Sequence, residues 1–193
     1  MRSSAPLLSL RYLLALAALA ALARSRALFL AGTSFAHYVV YIATYHQREG
    51  VAFGLFKRDA LLYKSLALAQ AGALYAARVE LARAETWASL GVMGAGFALA
   101  SLATEALGWD RTYFGWELGA IEGEFVTKFP YGTIPHPMIV GGITGWAGFH
   151  MLAAFRADYP WLVPTHVAMY LIHCTQEHLA IYSTGKIQSA GSA

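Results

Sequence analysis

The chain has 193 residues, 58% of them hydrophobic and 13% charged, with a formal net charge of +3. Soluble domains carry roughly 25% charged residues, so a water-facing fold is excluded, disorder is excluded by the abundant apolar and aromatic residues, and a nucleic-acid partner is excluded because the basic residues form no stripe. The lone Cys174 removes an internal disulfide and any multi-cysteine metal site, which leaves an integral membrane protein.

No Asp or Glu precedes Glu49, whereas Arg2, Arg11, Arg24, Arg26 and Arg48 do. Residues 1–26 therefore read as a targeting segment, with an apolar run from Tyr12 to Leu22 and a small-residue stretch at Ala21-Leu22-Ala23. An extra membrane helix from Pro6 to Ala23 is the alternative. Residues 27–186 are expected to form the membrane domain, followed by a polar tail at 187–193.

Five later segments have membrane character: Leu28 to Tyr45, Ala60 to Ala77, Thr86 to Thr104, Pro137 to Phe155 and Trp161 to Ile181. Each approaches the ~20 residues that a ~30 Å hydrocarbon core requires, and in lipid each must be helical to satisfy its own peptide groups. The expected fold is an all-α integral membrane protein, a bundle of four to five transmembrane helices with a polar catalytic loop before the fourth span. Trp87, Trp109 and Trp161 stand at span ends, where an interfacial indole belongs. Lys and Arg flank the spans almost equally on both sides, so the positive-inside rule gives no orientation. Connections 46–59 and 108–136 and the C-terminal tail share one face. The 108–136 connection holds Asp110, Arg111, Glu117, Glu122, Glu124 and Lys128, too much charge for lipid, and a loop of that length is usually functional or disordered.

Three features carry candidate chemistry. In the first, Pro135 and Pro137 flank His136, so the backbone there is expected to be extended and His136 cannot lie mid-helix. A rigid turn then holds His136 at the mouth of a span whose Gly141, Gly142, Gly145 and Gly148 permit close approach; the plain alternative is an interfacial His at a helix start. In the second, His166, Tyr170, His173 and Glu177 share one helical face. A glutamate at or near membrane depth is a functional hypothesis by default, whereas the histidines also suit ordinary contacts between helices. A metal site is not expected, because the other histidines stand singly. In the third, Gly94-Ala95-Gly96 interrupts an otherwise clean span, a pattern most often used for helix packing.

Together these residues resemble the phospholipid methyltransferase family of membrane enzymes, whose wider group includes the isoprenylcysteine carboxyl methyltransferases. The likeness runs from about Phe35 to Tyr182. Tyr113-Phe114-Gly115 resembles the family's Y-F-G, and Phe129 to Gly141 resembles its F-P-F/Y, N/H-P-M and G pattern. Gly94-Ala95-Gly96 is similar to its G-x-G element, and Gln176-Glu177 with Ile181-Tyr182 to its E-E and I-Y signature. Three positions depart: Pro135 stands where many relatives have arginine, Ile139 replaces an aromatic, and Gln176 replaces the first glutamate.

The resemblance implies S-adenosylmethionine as cofactor and an ethanolamine-headgroup phospholipid of the bilayer as substrate, methylated towards phosphatidylcholine. It implies catalytic roles for His136 and Glu177, and cofactor binding by Gly94, Ala95, Gly96, His136, Pro137, Gln176 and Glu177. It also implies a multi-pass protein of the endoplasmic reticulum or an organelle membrane. The departures keep two alternatives open, a non-catalytic membrane subunit that retains the fold and a carboxyl methyltransferase acting on a prenylated cysteine.

Overall fold

Segments that must satisfy their own peptide groups in lipid become helices, and the described residues contain eight helices and no strand. The computed structural model describes residues 6–46 and 48–183, with backbone alone at 6–11, 13 and 177–183. The helices are α1 (Pro6–Leu22), α2 (Arg26–His46), α3 (Phe53–Ala76), α4 (Ala84–Leu107), α5 (Trp109–Thr112), α6 (Pro137–Met151), α7 (Ala153–Asp158) and α8 (Leu162–Ser183). Two of them, α2 and α4, are long and apolar enough to cross a membrane. The expected tail at 187–193 lies outside the described residues.

The chain divides into two units, the first comprising Met1–Val79 and Leu107–Phe125. Here α1 ends in a Schellman turn: Arg24 adopts a left-handed φ of 49°, and Ser25 N–H donates to the Ala20 carbonyl at 2.9 Å. Leu16 of α1 fills the space that a side chain on Gly32 of α2 would occupy. Between α2 and α3, Gln70 donates to Ser34 Oγ at 2.7 Å and to the Leu30 carbonyl at 3.1 Å, while Thr33 Oγ1 donates to Gln70 Oε1 at 2.6 Å. An amide inside an apolar helix pair is tolerable only when its donors and its acceptor are all used in this way.

The Tyr113-Phe114-Gly115 turn plugs the open end of this pair. Phe114, at a left-handed φ of 59°, stacks on Phe56 with ring centres 5.5 Å apart and meets the edge of Tyr41 at 5.3 Å. Gly115 donates to the Asp110 carbonyl at 2.8 Å, and a Cβ on it would collide with that carbonyl. Sequence reasoning singled out these three residues as a motif; their role in this unit is to lock the loop onto α2 and α3. The second expected span began at Ala60, but α3 starts at Phe53 and includes Lys57, Arg58 and Asp59. Those charges are accommodated because Lys57 pairs with Asp110 at 2.5 Å and Arg58 with Asp59 at 2.7 Å.

The second unit comprises Glu80–Ala106 and Val126–Ala193. Its centre is α6, whose glycines admit the backbone of α4 and the Tyr170 ring of α8. The expected span from Pro137 to Phe155 is not one helix. It breaks at Leu152, which is extended at φ −70° and ψ 111°, and restarts as α7 with the Glu85 carboxylate accepting from Ala153 N–H. A carboxylate at that position satisfies a donor that the new helix leaves open.

In the first unit, burial pushes the Glu117 carboxyl above its usual range, and a backbone hydrogen bond and Arg48 offset this only in part. A raised folded-state value means that the neutral acid favours folding and that the benefit is lost as pH rises through that value. We predict that Glu117→Gln removes this loss, making unfolding in detergent less sensitive to pH above the ordinary carboxylate range. An unchanged pH profile in the variant argues against desolvation of Glu117.

Candidate active site

The residues singled out for chemistry all belong to the second unit: Gly94, Ala95 and Gly96 in α4, His136 and Pro137 at the start of α6, and Gln176 and Glu177 in α8. The turn before α6 is tight. Thr133 and Ile134 N–H both donate to the Pro130 carbonyl, at 3.1 and 2.8 Å, and Tyr131 N–H donates to the Lys128 carbonyl at 3.0 Å. Only glycine fits at 132, since a Cβ there would run into the Thr127 carbonyl.

His136 caps α6 at φ 45° and ψ 53°. The extended conformation expected before a proline is therefore wrong at this residue; the chain must reverse within one residue to enter the helix. Histidine is among the non-glycine residues that tolerate the left-handed region, at a cost of about 1–3 kcal/mol. Pro137 follows, buried at the first helical position, where a missing N–H is harmless. His136 itself is half-buried.

Helix register decides which residues share a level. A Cβ on Gly96 would strike the backbone of Gly145, one on Gly141 would strike Ala100, and one on Gly148 would strike Met93, so α4 and α6 run antiparallel. Gly142 abuts the Tyr170 ring, and Trp146 stacks on His166 with ring centres 3.5 Å apart, so α6 and α8 are antiparallel too. Continuing both helices six residues beyond Gly142 and Tyr170 brings His136 level with Gln176 at 1.5 Å per residue. On α4 the matching level is Glu105, which is exposed; Thr104, one residue before it, is buried and donates to the Ala100 carbonyl at 3.0 Å. Sequence reasoning missed Thr104, because a lone threonine in an apolar span carries no signal without the register.

Gly94-Ala95-Gly96 does not join this group: it sits level with the Gly145–Gly148 stretch, about 15 Å along the axis from His136. Nor do its glycines act alike. Gly96 is buried against α6, whereas a Cβ on Gly94 would meet nothing within 4 Å, and Ala95 is likewise exposed. On α8, His166 is fully buried beneath the Trp146 ring, and His173 is half-buried on the same helical face. Gln176 is half-buried; the Glu177 side chain lies outside the described residues. The end of the unit at α6's first turn thus combines an imidazole able to take a proton with an amide able to donate and accept.

We predict unequal consequences within Gly94-Ala95-Gly96. Gly96→Ala should destabilise the protein by about 1–3 kcal/mol through overpacking, while Gly94→Ala should shift stability by less than about 1 kcal/mol. Denaturant unfolding in detergent measures both, and equal shifts would contradict the α4–α6 contact.

The phospholipid methyltransferase family profile matches residues 84–183, a little over half of the chain, from the first residue of α4 to the last of α8. No curated protein and no solved structure matches.

Proposed function

From the chain's membership of the phospholipid methyltransferase family, we propose that it methylates the amine of an ethanolamine-headgroup phospholipid within the membrane, using S-adenosylmethionine and leading towards phosphatidylcholine. The observation that carries this reading is the family match, which takes in α4, α6 and α8 together with the His136 turn. A membrane location follows from the family and from the two apolar helices. We extend it to five spans, α2, α3, α4, α6 and α8, in the endoplasmic reticulum or an organelle membrane. Residues 27–186 would then be the methyltransferase domain, 1–26 its targeting segment or an added helix, and 187–193 its tail.

The cofactor fits the residues in part. Gly94 and Ala95 leave a stretch of α4 backbone open to a ligand, but the space freed at Gly96 is taken by α6. Gly96 is thus better explained by packing, and we assign cofactor contact to Gly94, Ala95, His136, Pro137, Gln176 and Glu177. Bound S-adenosylmethionine would supply a methyl group activated on a sulfonium. Glu177 would accept hydrogen bonds from the cofactor's ammonium, with Gln176 next to it in sequence. His136 would position the cofactor or take the proton that a headgroup ammonium must shed before its lone pair can attack. The turn from Pro130 to Pro137 keeps that imidazole in place, so less ordering remains when the reactants meet.

The non-catalytic reading draws on Pro135, Gln176 and the occlusion of Gly96. Both readings are separated by incubating membranes holding the full chain with methyl-labelled cofactor and each of three acceptors, the unmethylated, monomethylated and dimethylated ethanolamine lipids, followed by lipid mass spectrometry. We expect label in at least one lipid, and its loss in His136→Ala and in Glu177→Ala although both variants insert normally. Label at the original level in both variants would sink the site assignment; no label with the parent chain, and no cofactor binding at millimolar concentration, would support the non-catalytic subunit.

A further inference from the structure

The first unit contains a cleft that the site above does not use. Lys57, Trp109, Asp110, Arg111, Ile121 and Glu122 are among the residues lining an open depression of about 540 Å³, a size typical of small-molecule sites. Lys57 Nζ lies 2.5 Å from Asp110 Oδ1, and both side chains remain partly exposed, so an entering group can reach either. Arg111 is held in place: Nη1 donates to the Leu107 carbonyl at 3.3 Å and Nη2 to Glu124 at 2.6 Å. Its buried Nε–H has no acceptor among the described residues, a costly state for a cationic donor. Trp109 is 56% exposed, and its ring lies parallel to that of Tyr113, 6.3 Å away.

Two cations, two carboxylates and an exposed indole within one cleft restrict the ligand. A simple anion would face Asp110 and Glu122; a simple cation would face Lys57 and Arg111. A molecule carrying both charges a few bonds apart meets neither penalty. The depth is also informative. Leu107 closes α4, a helix long enough to cross a membrane, and Trp109 follows two residues later, where an indole suits the boundary between hydrocarbon and headgroups.

We propose that this cleft binds the zwitterionic headgroup of an aminophospholipid, with the phosphodiester on Lys57 and Arg111 and the ammonium on Asp110, Glu122 and the face of Trp109. Entry opens the Lys57–Asp110 pair and gives each partner an opposite charge on the ligand, so that no buried charge is stranded. The indole face accepts a methylated ammonium as readily as a primary one. The inference rests on the aminolipid reading above and adds to it a headgroup site within the first unit, beyond the residues assigned to methyl transfer.

The test uses the full chain in detergent, without methyl donor, titrated calorimetrically with O-phosphoethanolamine, O-phosphocholine and inorganic phosphate. Both zwitterions should bind about ten-fold or more tightly than phosphate, the scale of one charge-assisted contact. Lys57→Met combined with Asp110→Asn should cost about ten-fold for both. Trp109→Leu should weaken O-phosphocholine more than O-phosphoethanolamine. Phosphatidylethanolamine vesicles should compete for the site and phosphatidylglycerol vesicles should not, which separates a lipid from a soluble source. Equal binding of phosphate, or original affinities in the folded variants, overturns the proposal; should the double variant not fold, unchanged O-phosphocholine affinity in Trp109→Leu overturns it alone. Headgroup binding without any methyl transfer supports the cleft while defeating the methylation reading, and transfer without binding here does the reverse.

Discussion

The backbone-to-backbone approach of α4 and α6 is the contact on which the second unit depends. Hydrophobic burial gives little drive to a helix that crosses a membrane, which α4 is long and apolar enough to do, so close van der Waals contact is what can hold a neighbour to it. Gly96 against Gly145, Gly141 against Ala100 and Gly148 against Met93 make that contact, and Ser89 Oγ adds a hydrogen bond to the Gly148 carbonyl at 2.7 Å. Because α6 gives one side to α4 and another to Tyr170 and Trp146's partner His166, it sets the register of both neighbours. The level shared by His136, Glu105 and Gln176 is a consequence of that register.

The first unit solves a similar problem with different chemistry. Its helices α2 and α3 are joined by the Gln70 amide and sealed by aromatic rings. Phe114 reaches Phe56 only because its own φ is left-handed and the next residue has no Cβ to strike Asp110. The second unit uses small residues for proximity; the first uses a satisfied polar group and a loop-borne plug. Both devices avoid leaving donors open in an apolar setting.

Much of this was legible in the residues. The uncharged run at 86–104 and the apolar run at 161–181 forecast α4 and α8, and two prolines correctly kept His136 out of a helix interior. The glycines of 141–148 announced close approach, and Gly96 showed which neighbour used it. What stayed hidden depended on distant partners. The break at Leu152 has no proline or glycine to signal it; the Glu85 carboxylate that meets Ala153 comes from another helix. The left-handed His136 ran against the preference of residues before proline. Lys57, Arg58 and Asp59 resembled a loop because their ion partners, Asp110 above all, were not adjacent to an apolar pattern.

The two units are interleaved along the chain, with α4 made before the Tyr113–Phe114 plug of the first unit and α6 made after it. This ordering has a consequence during synthesis. About 49 residues separate Gly96 from Gly145, so at ~5–20 residues per second α4 waits about 2–10 s for its partner. Through that interval its glycine face is bare in the bilayer, open to any small-residue helix nearby. The first unit is finished in the meantime, and the newborn chain carries one completed half beside an unpaired helix.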